Sequence, residues 1–136
     1  ADSSPSGALF FQLQGCIERE WTVHQLFEYF DLSLDSHIAL SGQCIGTVII
    51  IKKNPNVISL LERCLQVVKD DVFLITDVYA KAGQKTYFKA HRHDQSIFSL
   101  VAKLSGAYII PDETWYVDFS CKEAEKIPFL ATRLKK

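Results

Sequence analysis

A strand that runs straight into a helix is written between positions 45 and 70, "IGTVIIIKKNPNVISLLERCLQVVKD", and it limits the fold more than any other stretch. The β-branched run at its start suits a central strand with both faces covered, so a strand is expected over 45–53. Asn54 then stands where an N-cap belongs, with Pro55 at the first helical position, where its missing N–H costs nothing. From there Val57, Leu60, Leu61, Cys64, Leu65 and Val68 recur at helical spacing and mark one apolar face. A covered strand followed at once by a one-faced helix requires a sheet for the helix to lie on. Strand and helix alternate along the chain without internal repeats, so the fold class is α/β or α+β.

The remaining pattern is compatible with that class. "ADSSPSG" is a loose lead-in, and residues 8–13, "ALFFQL", read as a strand. Thr22 and Gln25 have capping-box spacing ahead of Val23, Leu26, Phe27 and Phe30, which predicts a helix over 23–30. Residues 33–44 lack periodicity and read as loop; 71–90 read as a long connection around a Gly-centred turn. A further helix follows "HRHDQ", carrying Ile97, Phe98, Val101 and Leu104 and closing at Gly106. "AYII" and "TWYVDF" form short strands about the turn "PDET".

Size and charge exclude several classes of function. With 136 residues, 48% of them hydrophobic, the chain suits one domain with a real core. A net charge of −1 leaves no electrostatic footprint for nucleic acid. No apolar run approaches the roughly 20 residues of a membrane helix. Cys16, Cys44, Cys64 and Cys121 form no CxxC pair, so reduced and mostly buried thiols in a cytoplasmic setting are expected. The chain has neither an initiator Met nor the basic-then-apolar order of a signal peptide, which leads to the expectation of a segment of a longer product. A chain cut from a larger fold exposes a sheet edge, and a homodimer that covers it is expected.

The densest polar cluster is "HRHDQSIFSL", from His91 to Leu100. One reading makes Asp94 or His93 a helix N-cap and leaves His91 and His93 solvated. The other uses the same helix mouth for recognition: a carboxylate accepts from hydroxyls, an amide both donates and accepts, and together they suit a polyol. A metal held by His91-x-His93 lacks a third ligand nearby. Catalysis by a cysteine lacks an acidifying neighbour. "EREW", at 18–21, reads as a solvated turn with Trp21 as a staple against the first helix, and Trp115 and Tyr116 as core or rim aromatics.

Taken in order, "EREWT", "CIGTVIIIKKNPNVISLLERCLQ", "ITD", "HRHDQSIFSLVAKLSG" and "IPFLATRLKK" resemble the C-terminal half of GT-A-type glycosyltransferases, of the group that includes glycogenin and the lipopolysaccharide galactosyltransferases. The resemblance spans about 18–133 and implies the C-terminal portion of a GT-A-like mixed-sheet fold with flanking helices, a single domain over 1–136 that is the acceptor-side half of a longer glycosyltransferase domain. It implies sugar transfer from a nucleotide-sugar donor to a hydroxyl of a glycan acceptor. Asp94 and Gln95 match the Asp-Gln pair that opens a helix beside donor sugar and acceptor, which makes them the implied catalytic residues. His91, Arg92, His93, Gln43 and Asp77 are the implied substrate-binding residues. The complete family fold also uses a divalent metal, Mn or Mg, gripped by an Asp-x-Asp motif; no such motif occurs in this sequence. The alternative is a non-catalytic carbohydrate- or protein-binding module derived from the same fold. A third reading is a structural α/β domain in which "HRHDQ" only caps a helix.

Overall fold

The computed structural model of the chain describes residues 7–111; the expectations for "TWYVDF", Trp115, Tyr116, Cys121 and the basic tail lie outside them. A three-stranded mixed sheet forms one layer, in the order β2-β1-β3. Its strands are β1 (Ala8–Ile17), β2 (Gly42–Ile51) and β3 (Tyr108–Pro111). β2 runs antiparallel to β1, and β3 runs parallel to it. The helices are α1 (His24–Tyr29), α2 (Pro55–Asp70) and α3 (Asp94–Leu104), and α3 packs on β2 and on α2. The mixed α/β class follows directly.

The central strand is β1, not the β-branched run of β2, which lies at the edge of the sheet among the described residues. Side chains alternate across β1. Ala8 and Phe10 enter the main core with α1, α2 and α3, while Leu9 and Phe11 join Ile45 in a second cluster on the opposite face. "ALFF" and "VIII" are both apolar at every position, so composition alone cannot rank them; pairing decides. The strand also begins earlier than expected, since Gly42, Gln43 and Cys44 belong to β2 rather than to the preceding loop.

The β1–β2 ladder is broken between Phe10↔Ile49 and Gln12↔Cys44, so β2 bulges through Ile45, Gly46, Thr47 and Val48. A bulge bends the strand and re-aims the residues on it. This one lies beside the N-terminus of α3.

α2 starts as its sequence requires: the Asn54 side chain accepts the Val57 N–H at 2.8 Å, with Pro55 next in line. Val57, Leu60, Cys64 and Val67 are buried on its inner face, whereas Leu61 and Leu65 are exposed. α3 ends in a Schellman closure. The Ala107 N–H returns to the Ala102 carbonyl and the Gly106 N–H to that of Lys103, with Gly106 at φ 73°, where glycine pays no steric cost.

α1 does not start as expected. Thr22 makes no cap; it is buried, and its hydroxyl accepts from the Gln43 side chain. The open N–H groups of α1 are met from far along the chain instead. His91 Nδ1 accepts the Val23 N–H and Gln84 Oε1 accepts the His24 N–H. The long connection before α3 contains two short 3-10 turns, Val72–Ile75 and Tyr79–Lys81. It is this connection that carries Gln84 to α1.

Candidate functional site

The mouth of α3 is built on a strained turn. The Gln95 N–H donates to the Arg92 carbonyl at 3.1 Å, closing a turn whose first inner residue is His93. His93 has φ 54° and ψ −118°, a conformation that glycine adopts freely and other residues avoid. It sits at the cap position but supplies no side-chain cap. Asp94, the other residue expected there, is instead the first helical residue, and its Oδ1 accepts the Gln95 N–H at 2.9 Å. Strain of this kind persists where surrounding contacts hold it, and it concentrates at functional sites.

Those contacts are visible. His93 Nε2 pairs with Asp77 Oδ1 at 2.8 Å, tying the turn to the connection before it. The His91 ring lies edge-on to that of His93, with centroids 5.6 Å apart. His91 is only 4% exposed, and both its nitrogens are committed: Nδ1 accepts from Val23 N–H, and Nε2–H donates to the Leu74 carbonyl at 2.7 Å. These partners fix one neutral tautomer. Burial holds its imidazole below the usual histidine value, against the pull of the Leu74 hydrogen bond. His91 is thus a strut between α1 and the Val72–Ile75 turn.

Arg92 points outward. Its guanidinium lies over the Trp21 ring at 4.2 Å, with Lys89 Nζ 5.7 Å from the same ring. Lys89 pairs with Glu20 at 2.9 Å, and Arg19 covers Tyr87 at 4.1 Å. Trp21 Nε1 is buried and has no hydrogen-bond partner among the described residues. This side of the helix mouth is a ledge of aromatic rings faced by cations.

Behind Gln95 lies a buried polar network that the sequence reading did not foresee. Gln95 Nε2 donates to Gln43 Oε1 at 2.9 Å. Gln43 is fully buried, and its Nε2 reaches Glu18 Oε1 at 3.0 Å, Thr22 Oγ1 at 3.1 Å and Ser96 Oγ at 3.3 Å. Glu18, expected in a solvated turn, is also fully buried. Its Oε2 accepts from Ser99 at 2.6 Å and from Lys103 at 2.8 Å. The other two Lys103 protons go to Ser41 Oγ and the Gly42 carbonyl. Burial pushes the Glu18 carboxyl above its usual range, while Lys103, Ser99 and Gln43 pull it back.

One signal for this network was present in the sequence. Ser96, Ser99 and Lys103 recur at helical spacing and form a polar stripe within the apolar pattern of α3. No comparable local signal marks Glu18.

The candidate residues are therefore held together but do not converge on one point. Gln43 and His91 are interior; Arg92, Asp94 and Asp77 are exposed; Gln95 and His93 are half-buried. Asp94 turns toward α2, at the rim of an apolar cavity of about 220 Å³ lined by Leu61, Cys64, Leu65, Val68, Ile97 and Phe98. Gln95 turns toward β2 and lies across Gly46. A Cβ at Gly46 would stand 3.3 Å from Gln95 Cβ, so a larger residue in the bulge would crowd that side chain.

Among the described residues no three His, Cys, Asp or Glu side chains come together so as to hold a metal ion. The side chains at the helix mouth do not fit a divalent cation, since His91 has no free nitrogen. Cys16, Cys44 and Cys64 are free thiols; burial pushes Cys44 up to about 11 and Cys64 to about 12, which leaves both un-ionised at neutral pH. No helix among the described residues is long and apolar enough to cross a membrane. Comparison of the chain with protein-family models, with curated proteins and with solved structures returns no match in any of the three.

Proposed function

We propose that the chain is the acceptor-side portion of a glycosyltransferase and that saccharide hydroxyls are held at the mouth of α3. One observation carries this reading. A strained His93 backbone opens α3 on an acid and an amide at consecutive residues, Asp94 exposed on the α2 side and Gln95 half-buried against β2, and the amide is anchored from behind to a buried network. A helix cap needs neither the strain nor the anchor. Asp94, with one oxygen engaged by the Gln95 N–H, has its other available to accept from a hydroxyl. Arg92 on Trp21 supplies a flat, cationic flank suited to a sugar face or to a nucleotide diphosphate. In the complete enzyme the pair would orient donor sugar and acceptor, and charge stabilisation of the departing diphosphate would fall to the other half.

The reading is tested by titrating the chain with oligosaccharides and nucleotide sugars, followed by heat. Asp94→Ala is expected to weaken saccharide binding at least tenfold, the effect of one lost charge-assisted contact, and Gln95→Ala by up to about tenfold, that of a neutral one, with unchanged circular dichroism. Binding that survives both substitutions would overturn it.

A second reading, a non-catalytic binding module of the same descent, is favoured by the apolar cavity between α2 and α3. Leu61 and Leu65 are 41% and 54% exposed there, a lining better suited to a protein side chain than to a sugar. Saccharide binding without any nucleotide-sugar binding supports the module; donor binding by this chain alone counts against it.

A further inference from the structure

Hydrogen-bond networks have a direction, and here it is set at the buried end. A carboxylate offers acceptors only, and an ammonium donors only. Lys103 and Ser99 both donate to Glu18 Oε2, so Oε1 is the atom that meets Gln43. Facing an acceptor, Gln43 must turn its Nε2 inward, and its Oε1 is thereby turned toward Gln95. Gln95 satisfies that oxygen with its own Nε2. Its Oε1 is left over: it has no donor among the described residues and lies above Gly46, 3.5 Å from where a Cβ there would stand. Turning either amide over would set oxygen against oxygen inside the protein, leaving buried acceptors unpaired.

We propose that Glu18 is a positioning residue which, acting through Gln43, decides which end of the Gln95 amide the site presents: an acceptor, which receives a hydrogen bond from a hydroxyl proton of the ligand. The assignment of that proton to a sugar rests on the saccharide reading above; the relay itself does not. Glu18→Gln keeps the shape and reverses the polarity. Lys103, a donor, holds the oxygen of the new amide, so its NH2 group faces Gln43. Gln43 then turns over, with the Thr22 and Ser96 hydroxyls that its Nε2 had met rotating to donate to its oxygen; Gln95 turns in response, and the site presents an NH2 group where it had presented an oxygen.

The relay is read without any ligand, from solvent exchange of the Gln43 and Gln95 side-chain amide protons in the 15N-labelled chain. In the unsubstituted chain both Gln43 protons exchange slowly, and Gln95 shows one slow and one fast. In Glu18→Gln both Gln95 protons become fast. In Glu18→Asp, which keeps an acceptor-only group, Gln95 retains its slow proton. A slow Gln95 proton that persists in Glu18→Gln overturns the proposal. Should that variant not fold, the unsubstituted chain decides, because two fast protons on Gln95 or a fast proton on Gln43 overturn it equally.

The ligand side is read by titrating methyl glucoside and its mono-O-methyl ethers. The ether that cannot donate at this point binds about tenfold more weakly to the unsubstituted chain, and the penalty vanishes in Glu18→Gln. An equal penalty in both chains overturns the role of Glu18 in specificity. If no glycoside binds while the exchange pattern holds, the saccharide reading falls and the relay stands.

Discussion

His93 spends conformational energy that its side chain does not recover. A residue with a Cβ in this region costs about 1–3 kcal/mol, whereas its exposed pair with Asp77 returns about 0–1 kcal/mol. His93→Gly is therefore expected to be at least as stable as the unsubstituted chain, by up to about 1 kcal/mol, and clearly more stable than His93→Ala, which keeps the strain and loses the pair. Urea midpoints of the three chains check this; equal midpoints for Gly and Ala would remove the strain argument. His91 makes the opposite bargain, giving two buried hydrogen bonds and no strain. Its folded value lies below the usual 6.5, so below that pH the unfolded chain binds more protons than the folded one. Its contribution is thus fully present above pH 6.5 and lost as pH falls through the lowered folded value. His91→Gln keeps the donor to Leu74 but leaves the Val23 N–H unpaired. It should cost about 1–3 kcal/mol and abolish the loss of stability that begins just below pH 6.5. An unchanged slope between pH 7 and pH 5.5 would assign that loss to another group.

The helices differ in where their ends are satisfied. α2 is closed locally, by Asn54 on its own first turn, and Asn54→Ala should cost about 1 kcal/mol in thermal or urea unfolding. α1 is closed from a distance, by His91 and Gln84 at separations of 68 and 60 residues. Thr22→Val would therefore not uncap it. This is why α2 was legible in the sequence and the start of α1 was misread. "TVHQ" has the spacing of a capping box, but spacing does not reveal that the threonine hydroxyl has a tertiary partner. The same limit applies to the candidate site. "HRHDQ" identifies the chemistry at the mouth of α3; which of its members are buried depends on Glu18, Gln43 and Leu74, none of them near in sequence.

Across the molecule, the buried Glu18–Lys103 pair joins β1's end to α3, 85 residues apart, and brings the start of β2 with it through Ser41 and Gly42. Removing one partner strands the other charge in the interior. Lys103→Met is expected to cost about 3–5 kcal/mol, and Glu18→Leu combined with Lys103→Met considerably less than the sum of the single changes. Denaturant unfolding of the cycle measures the difference; additive costs would show that the pair is not coupled. Sequence alone determined the α/β class, the strand-to-helix unit, the Asn54 cap and the Gly106 closure, because each depends on the period of apolar residues or on groups within a turn of one another. Only the tertiary structure decided that β1 is central, that Glu18 is interior and that Gln95 is anchored while Asp94 is not. Those outcomes depend on which distant donor meets which acceptor once water is excluded, and no local pattern encodes that.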